Sequence, residues 1–508
     1  MEEISEKRLK QIRSATLEGA LAREIAIEAS FTRGLPAFSI VGLADEAIKE
    51  AKDRVKSALL LSGYQFPPLK ITVSLSPSDL RKSGSQMDLP IALLIALQNE
   101  MIDFEDFFCF GELGLDGAVR PSPAIFALTL SLATQGAIKR VLCDRASAEQ
   151  IARIPGVEAF AVATLNEAIG FFRKDRAIEP TPSAAFSAQT LAVDQPYYHE
   201  SVFECDFREV RGQKLAKRAA LIAAAGFHNL LLSGAPGCGK SMIIKRMAEI
   251  LPPMSLAELL TRASLDSLEG KTPDFKAVRP LRSPHHTATR ASIFGGGSRE
   301  SKMGETALAN GGILFFDELP HFPKTILEAM REPLEDNRLL ISRVNSKITY
   351  ETSFLFAGAM NPCPCGNLFS KTRDCRCNAS EIARYQSRLS DPFLDRVDLF
   401  VQMADSDPQA VGDQSSAELK EQVLRAFARQ KERGQERLNG KLNDKETDRY
   451  CVFESEAEET LISAAGRFGL SARAIGKLRR VSRTIADLND RAAIAKIDLL
   501  EALSLRRR

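Results

Sequence analysis

None of the 508 residues belongs to an uninterrupted apolar run long enough to cross a bilayer. The opening thirty, Met1 to Ser30, are charged and helix-prone and lack the apolar core of an export signal, which predicts a cytoplasmic protein with no membrane partner. Net charge is almost absent as well. Lys plus Arg at 68 against Asp plus Glu at 66 leave +2, so any contact with nucleic acid has to come from local clusters rather than a global field. Histidine is scarce, at five residues. Nine cysteines in a reducing compartment argue for thiols or metal ligation and against a disulfide framework. No fixed-period repeat is present, which excludes a solenoid, and the length predicts about three domains.

What is present begins with a glycine-rich loop. The apolar run Asn229 to Ser233 leads into Gly234, Ala235, Pro236, Gly237, Cys238, Gly239, Lys240 and Ser241, and a helical stretch from Met242 to Ile250 follows. A strand, a loop and a helix in that order predict a nucleoside triphosphate site. The glycines let backbone N–H groups curl around phosphate at a helix N-terminus, Lys240 adds a point charge, and Ser241 offers a hydroxyl to Mg²⁺. Cys238 sits where a helix N-terminus would lower a thiol pKa and favour alkylation, unless it is simply a small residue at a variable position of the loop.

The apolar run Gly312 to Phe316 ends in Asp317 and Glu318, 77 positions after Lys240. A strand apolar throughout is buried on both faces and delivers its terminal carboxylates to the end of a sheet. Asp317 is expected to hold Mg²⁺, and Glu318 to orient an attacking water, which points to ATP hydrolysis rather than nucleotide holding.

Proline, serine and alanine break the periodicity near residues 176–200, a linker composition that leaves an N-terminal domain over 1–175. Within it Ala44 to Leu61 reads as an amphipathic helix, Lys70 to Leu75 as a strand and Leu89 to Leu97 as a buried helix, giving an α/β or α+β domain. Residues 201–408 carry the nucleotide motifs. Residues 409–508 hold no apolar strand and read as helices at Ser415 to Arg433, Glu456 to Phe468, Ala472 to Leu488 and Ile497 to Leu505.

From about Asp206 to Arg483 the chain resembles an AAA+ ATPase of the branch that contains magnesium chelatase motor subunits and hexameric replicative helicases. The resemblance implies an αβα nucleotide-binding core with a C-terminal helical lid. It also implies roles residue by residue. Asp206 to Gln213, with Val210, is similar to the box over adenine, and Met242 continues the phosphate loop. Asn361 matches the sensor that positions water; Arg396 matches an arginine finger acting on the neighbouring subunit's nucleotide, with Arg388 in reserve; Arg473 matches the second sensor of the lid. Arg396 beside Asp395 and Asp398 also reads as an ordinary salt bridge.

Two insertions look like the hairpins of that branch. One is Leu281 to Arg299 with its Gly295 to Gly297 turn. The other is Leu339 to Tyr350 about Asn345-Ser346, where Arg343, Lys347 and Tyr350 offer two cations and a stacking surface to a nucleic-acid strand, or are plain exposed hairpin residues. His285 and His286 lie beside the first insertion and take no assigned role beyond a pore or ligand contact.

The runs Arg282 to Thr287, Phe316 to Pro320, Met360 to Gly366 and Leu470 to Ala474 resemble the ComM (YifB-like) family of magnesium chelatase-like proteins, and Gly34 to Leu43, Asp79 to Gly84 and Met87 to Pro90 extend the match. That resemblance implies a homohexameric ring driving branch migration of DNA, single-stranded or branched, in recombination during natural transformation. An ATPase that remodels a protein partner without DNA is the rival reading.

The N-terminal domain looks like the Lon-protease fold (ribosomal S5 domain 2-like), yet the turn at Gly84 to Asp88 puts Gln86 at the nucleophile position. No lysine lies between Gly117 and Ile138, so a peptidase dyad is not expected; Ser85 serves only if the register slips.

Cys363, Cys365, Cys375 and Cys377 place four soft ligands within fifteen residues, suited either to tetrahedral Zn²⁺ or to reduced structural thiols. Lys371, Arg373 and Arg376 in the same loop make it a candidate nucleic-acid contact.

Overall fold

The computed structural model describes residues 10–19, 21–296, 302–342, 347–370, 373–405 and 411–507. The chain divides into two compact units, Met1–Ser187 with Leu260–Phe275, and Ala188–Leu259 with Lys276–Arg508. Residues 260–275, which fall inside the 201–408 span of the sequence, thus belong with the first unit. There Phe275 meets Phe126 edge-on at 5.4 Å and lies under the Arg153 guanidinium at 4.5 Å.

The first unit is built on a seven-stranded sheet. Its strands are β1 (Gln11–Glu18), β2 (Leu21–Thr32), β3 (Ala37–Val41), β4 (Lys70–Ser76), β5 (Phe107–Cys109), β6 (Arg140–Cys143) and β7 (Glu158–Ala161), in the order β3-β4-β2-β1-β5-β6-β7. The expectation that the chain opens in helix is corrected here. Ile25, Ile27 and Ala29 are buried at period two along β2, and that alternation, rather than helix propensity, decides the segment. Helix α1 (Glu46–Leu61) starts where the Asp45 carboxylate accepts from the Ile48 N–H at 3.0 Å. Helix α2 (Asp88–Ala96) is buried over nearly its whole surface, as its unbroken apolar sequence requires.

The second unit carries a five-stranded, all-parallel sheet. Its strands are β8 (Leu230–Ser233), β9 (Leu281–Arg282), β10 (Ile313–Phe316), β13 (Leu355–Met360) and β14 (Leu399–Gln402), in the order β9-β10-β13-β8-β14; β11 (Arg338–Ser342) and β12 (Lys347–Glu351) form a separate hairpin. β8, β10 and β13 are buried throughout, as continuous apolar runs in a parallel sheet should be. Helices α3 (Lys214–Gly226) and α4 (Lys240–Glu249) flank the sheet, and the C-terminal helices α8 (Ser416–Glu432), α9 (Ser455–Phe468), α10 (Ala472–Leu488) and α11 (Lys496–Ser504) follow within one residue of their predicted bounds, between them the short α5 (Arg290–Phe294), α6 (Lys324–Ala329) and α7 (Ala379–Gln386). Leu419, Leu478 and Ile485 from the C-terminal helices share one apolar cluster with Leu230, Leu232 and Leu399 of the sheet, so lid and core are packed as one body.

The first insertion differs from its sequence reading. Leu281–Arg282 is the edge strand of the main sheet, paired with Ile313 and Leu314, and Thr289 caps α5 by accepting from the Ser292 N–H at 3.1 Å. Among the described residues of the insertion, Gly295–Gly296 pairs back with Lys302–Met303. The Thr289 cap starts a short helix over Arg290–Phe294, so the paired segment begins at Gly295 rather than at Leu281; residues 297–301, with Gly297 and Arg299, lie outside the described residues. Among the described residues no helix is long and apolar enough to cross a membrane.

Candidate functional site

The phosphate loop leaves the end of β8, the Asp317–Glu318 pair the end of β10, and Asn361 the end of β13. The register that pairs Ser233 with Met360 and Phe316 with Gly358 brings these three neighbouring strand ends to one edge of the sheet, where open α/β folds hold ligands. Gly237 (φ +80°) and Gly239 (φ +94°) have nothing within 4 Å of where a Cβ would stand, so left-handed backbone, not space, demands glycine there.

A cleft of about 510 Å³ opens over this edge, lined among others by Gly237, Lys240, Ser241, Asp317, Glu318 and Asn361. The Lys240 ammonium donates to the carbonyls of Gly234 at 2.7 Å and Ala235 at 2.9 Å, and to Asn361 Oδ1 at 3.1 Å. Burial lowers its pKa, against the opposing pull of Cys238 and Asp317. The Ser241 hydroxyl donates to Asp317 Oδ2 at 2.7 Å, and the Glu318 backbone N–H donates to Asp317 Oδ1 at 2.9 Å. One hydroxyl and one carboxylate in contact, opening on a glycine-lined loop, are hard oxygen donors of the kind Mg²⁺ takes while keeping most of its water. The residues present therefore fit magnesium ATP: Ser241 and Asp317 would hold the metal, which neutralises phosphate charge when bound.

Val210 is 3% exposed and belongs to the cluster that contains Ile243, behind a turn capped by Asp206, whose side chain accepts from Arg208 N–H at 2.9 Å and from Ser416 N–H at 2.9 Å. Met242 is exposed. Of the two readings of Cys238, burial favours the small residue of the loop: it is 4% exposed, and burial raises its thiol pKa above the ordinary value, outweighing Lys240. A buried, protonated thiol is a poor nucleophile, so the helix N-terminus does not make it an alkylation site.

The two predicted arginines are not among the residues that line the cleft. Arg396 and Arg473 instead converge on the two carboxylate oxygens of Glu335, Arg396 on Oε2 and Arg473 on Oε1. The Ser471 hydroxyl, accepting from Ala474 N–H at 3.2 Å, starts α10 and so places Arg473 in its first turn. The salt bridge read for Arg396 with Asp395 or Asp398 is corrected: its ion-pair partner is Glu335, 61 positions earlier in the chain. Arg388 donates to the Pro320 carbonyl at 3.3 Å, close behind the acidic pair.

Sequence reasoning did not reach Tyr385 and His321, which also line the cleft, nor place His285 and His286 there. Tyr385 comes from α7, far along the chain, and no spacing rule connects it to the motifs.

The four cysteines come together after β13. Their sulfurs lie within 4.8 Å of one another, with Cys363–Cys365 at 3.5 Å, Cys365–Cys375 at 3.6 Å and Cys363–Cys375 at 3.7 Å. A tetrahedron with Zn–S near 2.3 Å has sulfur edges of about 3.8 Å, so the cluster has the dimensions of a zinc site. Backbone N–H groups of Asn367 and Arg376 pull Cys365 down to about 6, whereas Cys375 and Cys377 are raised, burial and the neighbouring sulfurs outweighing their own backbone hydrogen bonds. All nine cysteines are free. The cysteine loop bears directly on the phosphate loop: a Cβ at Gly366 (φ +82°) would stand 2.4 Å from Pro236 Cδ. Arg373 and Arg376 are exposed; Lys371 lies outside the described residues.

In the β11–β12 hairpin Leu339 pairs with Tyr350 and Ser342 with Lys347. Tyr350 is 4% exposed, because the register turns it inward opposite buried Leu339, so it offers no stacking surface. Arg343 lies outside the described residues, as does the turn.

In the first unit Gln86 is 2% exposed and its amide donates to Ala15 O at 3.2 Å and Ser83 O at 3.0 Å. The Ser85 hydroxyl donates to Glu112, a carboxylate rather than a lysine base.

Three family models match the chain in succession: subunit ChlI of Mg-chelatase over residues 27–146, magnesium chelatase subunit ChlI over 206–411, and the magnesium chelatase subunit ChlI C-terminal domain over 413–506. Among curated relatives, the uncharacterized protein YifB of Salmonella typhimurium is 38% identical over 96% of this chain and 95% of its own. The competence protein ComM of Haemophilus influenzae is 36% identical over 96% and 95%. An uncharacterized protein of Mycobacterium tuberculosis is 32% identical over 97% of each. Matched along almost its whole length, the chain belongs to the ComM/YifB family of magnesium chelatase-like AAA+ proteins, a membership that implies ATPase activity with magnesium ATP.

Proposed function

We propose that this protein is an ATP-driven DNA motor, a cytoplasmic homohexameric ring that moves single-stranded or branched DNA during recombination linked to competence. The observation that carries the reading is the position of Arg396 and Arg473: both sit on Glu335, outside the cleft that holds Lys240, Asp317 and Asn361. Phosphoryl transfer spreads negative charge over the equatorial oxygens, and a guanidinium that stabilises it is worth on the order of 10³ to 10⁵ in rate. On this reading one chain supplies the cradle and its neighbour supplies the arginines.

Within the cradle each residue has a distinct task. Gly234 to Met242 wrap the phosphates, with Val210 beside the base; Lys240 exchanges its loop carbonyls for phosphate oxygens. Ser241 and Asp317 hold Mg²⁺, while Glu318 and Asn361 orient water. The exposed Arg373 and Arg376 near the cysteine cluster, with Zn²⁺ as its structural metal, and the β11–β12 hairpin form the DNA-facing side. A relative named for competence supports the physiological part.

The test is the ATPase rate with and without single-stranded or forked DNA, together with DNA affinity across a salt series and mass in solution. Stimulation by DNA, salt-dependent binding and a ring-sized species are expected. Turnover indifferent to DNA, with no salt-dependent binding, refutes the DNA motor and leaves a protein-remodelling ATPase.

A further inference from the structure

The loop that carries the four cysteines is tied to the nucleotide cleft at both of its ends and along its course. Cys363 follows Asn361 by two residues, and Asn361 Oδ1 accepts from the Lys240 ammonium at 3.1 Å. Gly366 is buried against Pro236 of the phosphate loop, so close that a Cβ would collide with the ring. The Ser370 hydroxyl donates to Asp405 Oδ2 at 2.9 Å, just past β14. Cys377 leads straight into α7, whose N-cap Asn378 and Glu381 hold each other's backbone N–H groups. From α7 the Tyr385 ring lines the cleft, and the Gln386 amide donates back to the Pro362 carbonyl at 3.2 Å, between Asn361 and Cys363.

Little besides the sulfurs holds this loop in shape. Among the described residues no helix or strand lies between Met360 and Ala379. Phe369, the only aromatic residue of the loop, is 54% exposed, and Arg373, Asp374 and Arg376 are exposed as well. Cys363 by contrast is fully buried, and the four sulfurs gather within 4.8 Å of one another. A segment with no apolar core of its own needs a cross-link to become rigid, and a metal held by four thiolates supplies one, its binding energy ordering the chain around it. Here the cross-link joins Cys363 and Cys365, at the Asn361 end, to Cys375 and Cys377, at the α7 end.

We propose that zinc at this cluster braces the ATP site: it fixes Asn361, the Pro236 turn and Tyr385 relative to one another, so the cleft works at full rate only when the cluster is loaded. The proposal rests on the reading of the cleft as a magnesium ATP site and of the cluster as a zinc site. It makes hydrolysis zinc-dependent although none of the four cysteines is among the residues that line the cleft.

The experiment strips zinc from the purified full chain with a soft-donor chelator that spares magnesium. Zinc content, ATP turnover without DNA, fluorescent-nucleotide affinity and far-ultraviolet circular dichroism are then measured for the parent, C375S and C375H. The parent should carry about one zinc per chain. Stripping should lower kcat about 10- to 100-fold with the circular dichroism spectrum kept, and added zinc should restore the rate. C375S should behave as the stripped parent, while C375H, which keeps a fourth ligand, should hold zinc and most of the turnover. Zinc-free parent at the loaded rate, a rate lost only together with the spectrum, or zinc-loaded C375H no faster than C375S would each overturn the proposal. If C375S does not fold, the stripped parent decides alone. A parent that neither carries nor takes up zinc brings down the metal reading of the cluster, and this inference with it. Lys240→Ala turning over at the parental rate instead brings down the reading of the cleft.

Discussion

His228 should make the nucleotide unit acid-sensitive. It lies between α3 and β8, is 0% exposed, and its Nε2 is 2.7 Å from the Thr484 hydroxyl of α10, so it ties the strand that bears the phosphate loop to the lid. Burial lowers its pKa from 6.5 to about 4; Asp398, whose Oδ2 is 3.9 Å away, opposes this, while Arg480 and Lys441 add to it. The folded state thus keeps His228 neutral where the unfolded chain is protonated. Its contribution to stability is whole above about pH 6.5 and is lost as pH falls toward 4. The full shift corresponds to about 3 kcal/mol, and about 2 kcal/mol is already gone at pH 5. For a domain of this size that lowers Tm by roughly 4 °C. In H228Q the amide still reaches Thr484 but does not titrate. Thermal unfolding followed by circular dichroism at pH 8 and pH 5 should show a smaller acid loss for H228Q than for the parent. Parallel losses in the two proteins would refute the argument.

Three more predictions concern the site. Arg396→Ala should cut ATP turnover by about 10³-fold or more while nucleotide affinity stays near the parental value, since the side chain lies outside its own chain's cleft; loss of binding, read by fluorescent nucleotide titration, would contradict this. Protein purified without added metal should carry about one zinc per chain by mass spectrometry of the metal, and C375S should lose it; full zinc in C375S would dismiss the tetrathiolate site. Gly366→Ala should weaken ATP binding, because its Cβ would collide with Pro236 and its φ of +82° disfavours any side chain; unchanged affinity would show that the two loops move independently.

Much of the site was legible because its signals are local. A glycine loop after an apolar strand, an apolar strand ending in two acids, and four cysteines within fifteen residues each need only a short stretch of chain to declare themselves. The C-terminal helices were legible for the same reason: periodicity and caps such as Ser415 with Glu418 lie within one turn. The misreadings came where tertiary pairing overrode local propensity. Gln11–Glu18 and Leu21–Thr32 pair as strands across a sheet despite a helix-prone composition, and Tyr350, read as an exposed ring, turns inward with its register.

The sequence by itself determined the groups on offer: a glycine loop at a strand end, a hydroxyl and a carboxylate, a second carboxylate beside it and four thiols. It did so because each backbone conformation and ligand type is written in neighbouring residues. Only the tertiary structure decided who faces whom. The register of parallel strands set Asn361 beside Lys240, the docking of α10 sent Arg473 with Arg396 to Glu335, and the edge strand β9 brought His286 to Glu318. Those meetings join residues tens to more than a hundred positions apart, and a contact of that range is fixed by packing rather than by any local pattern.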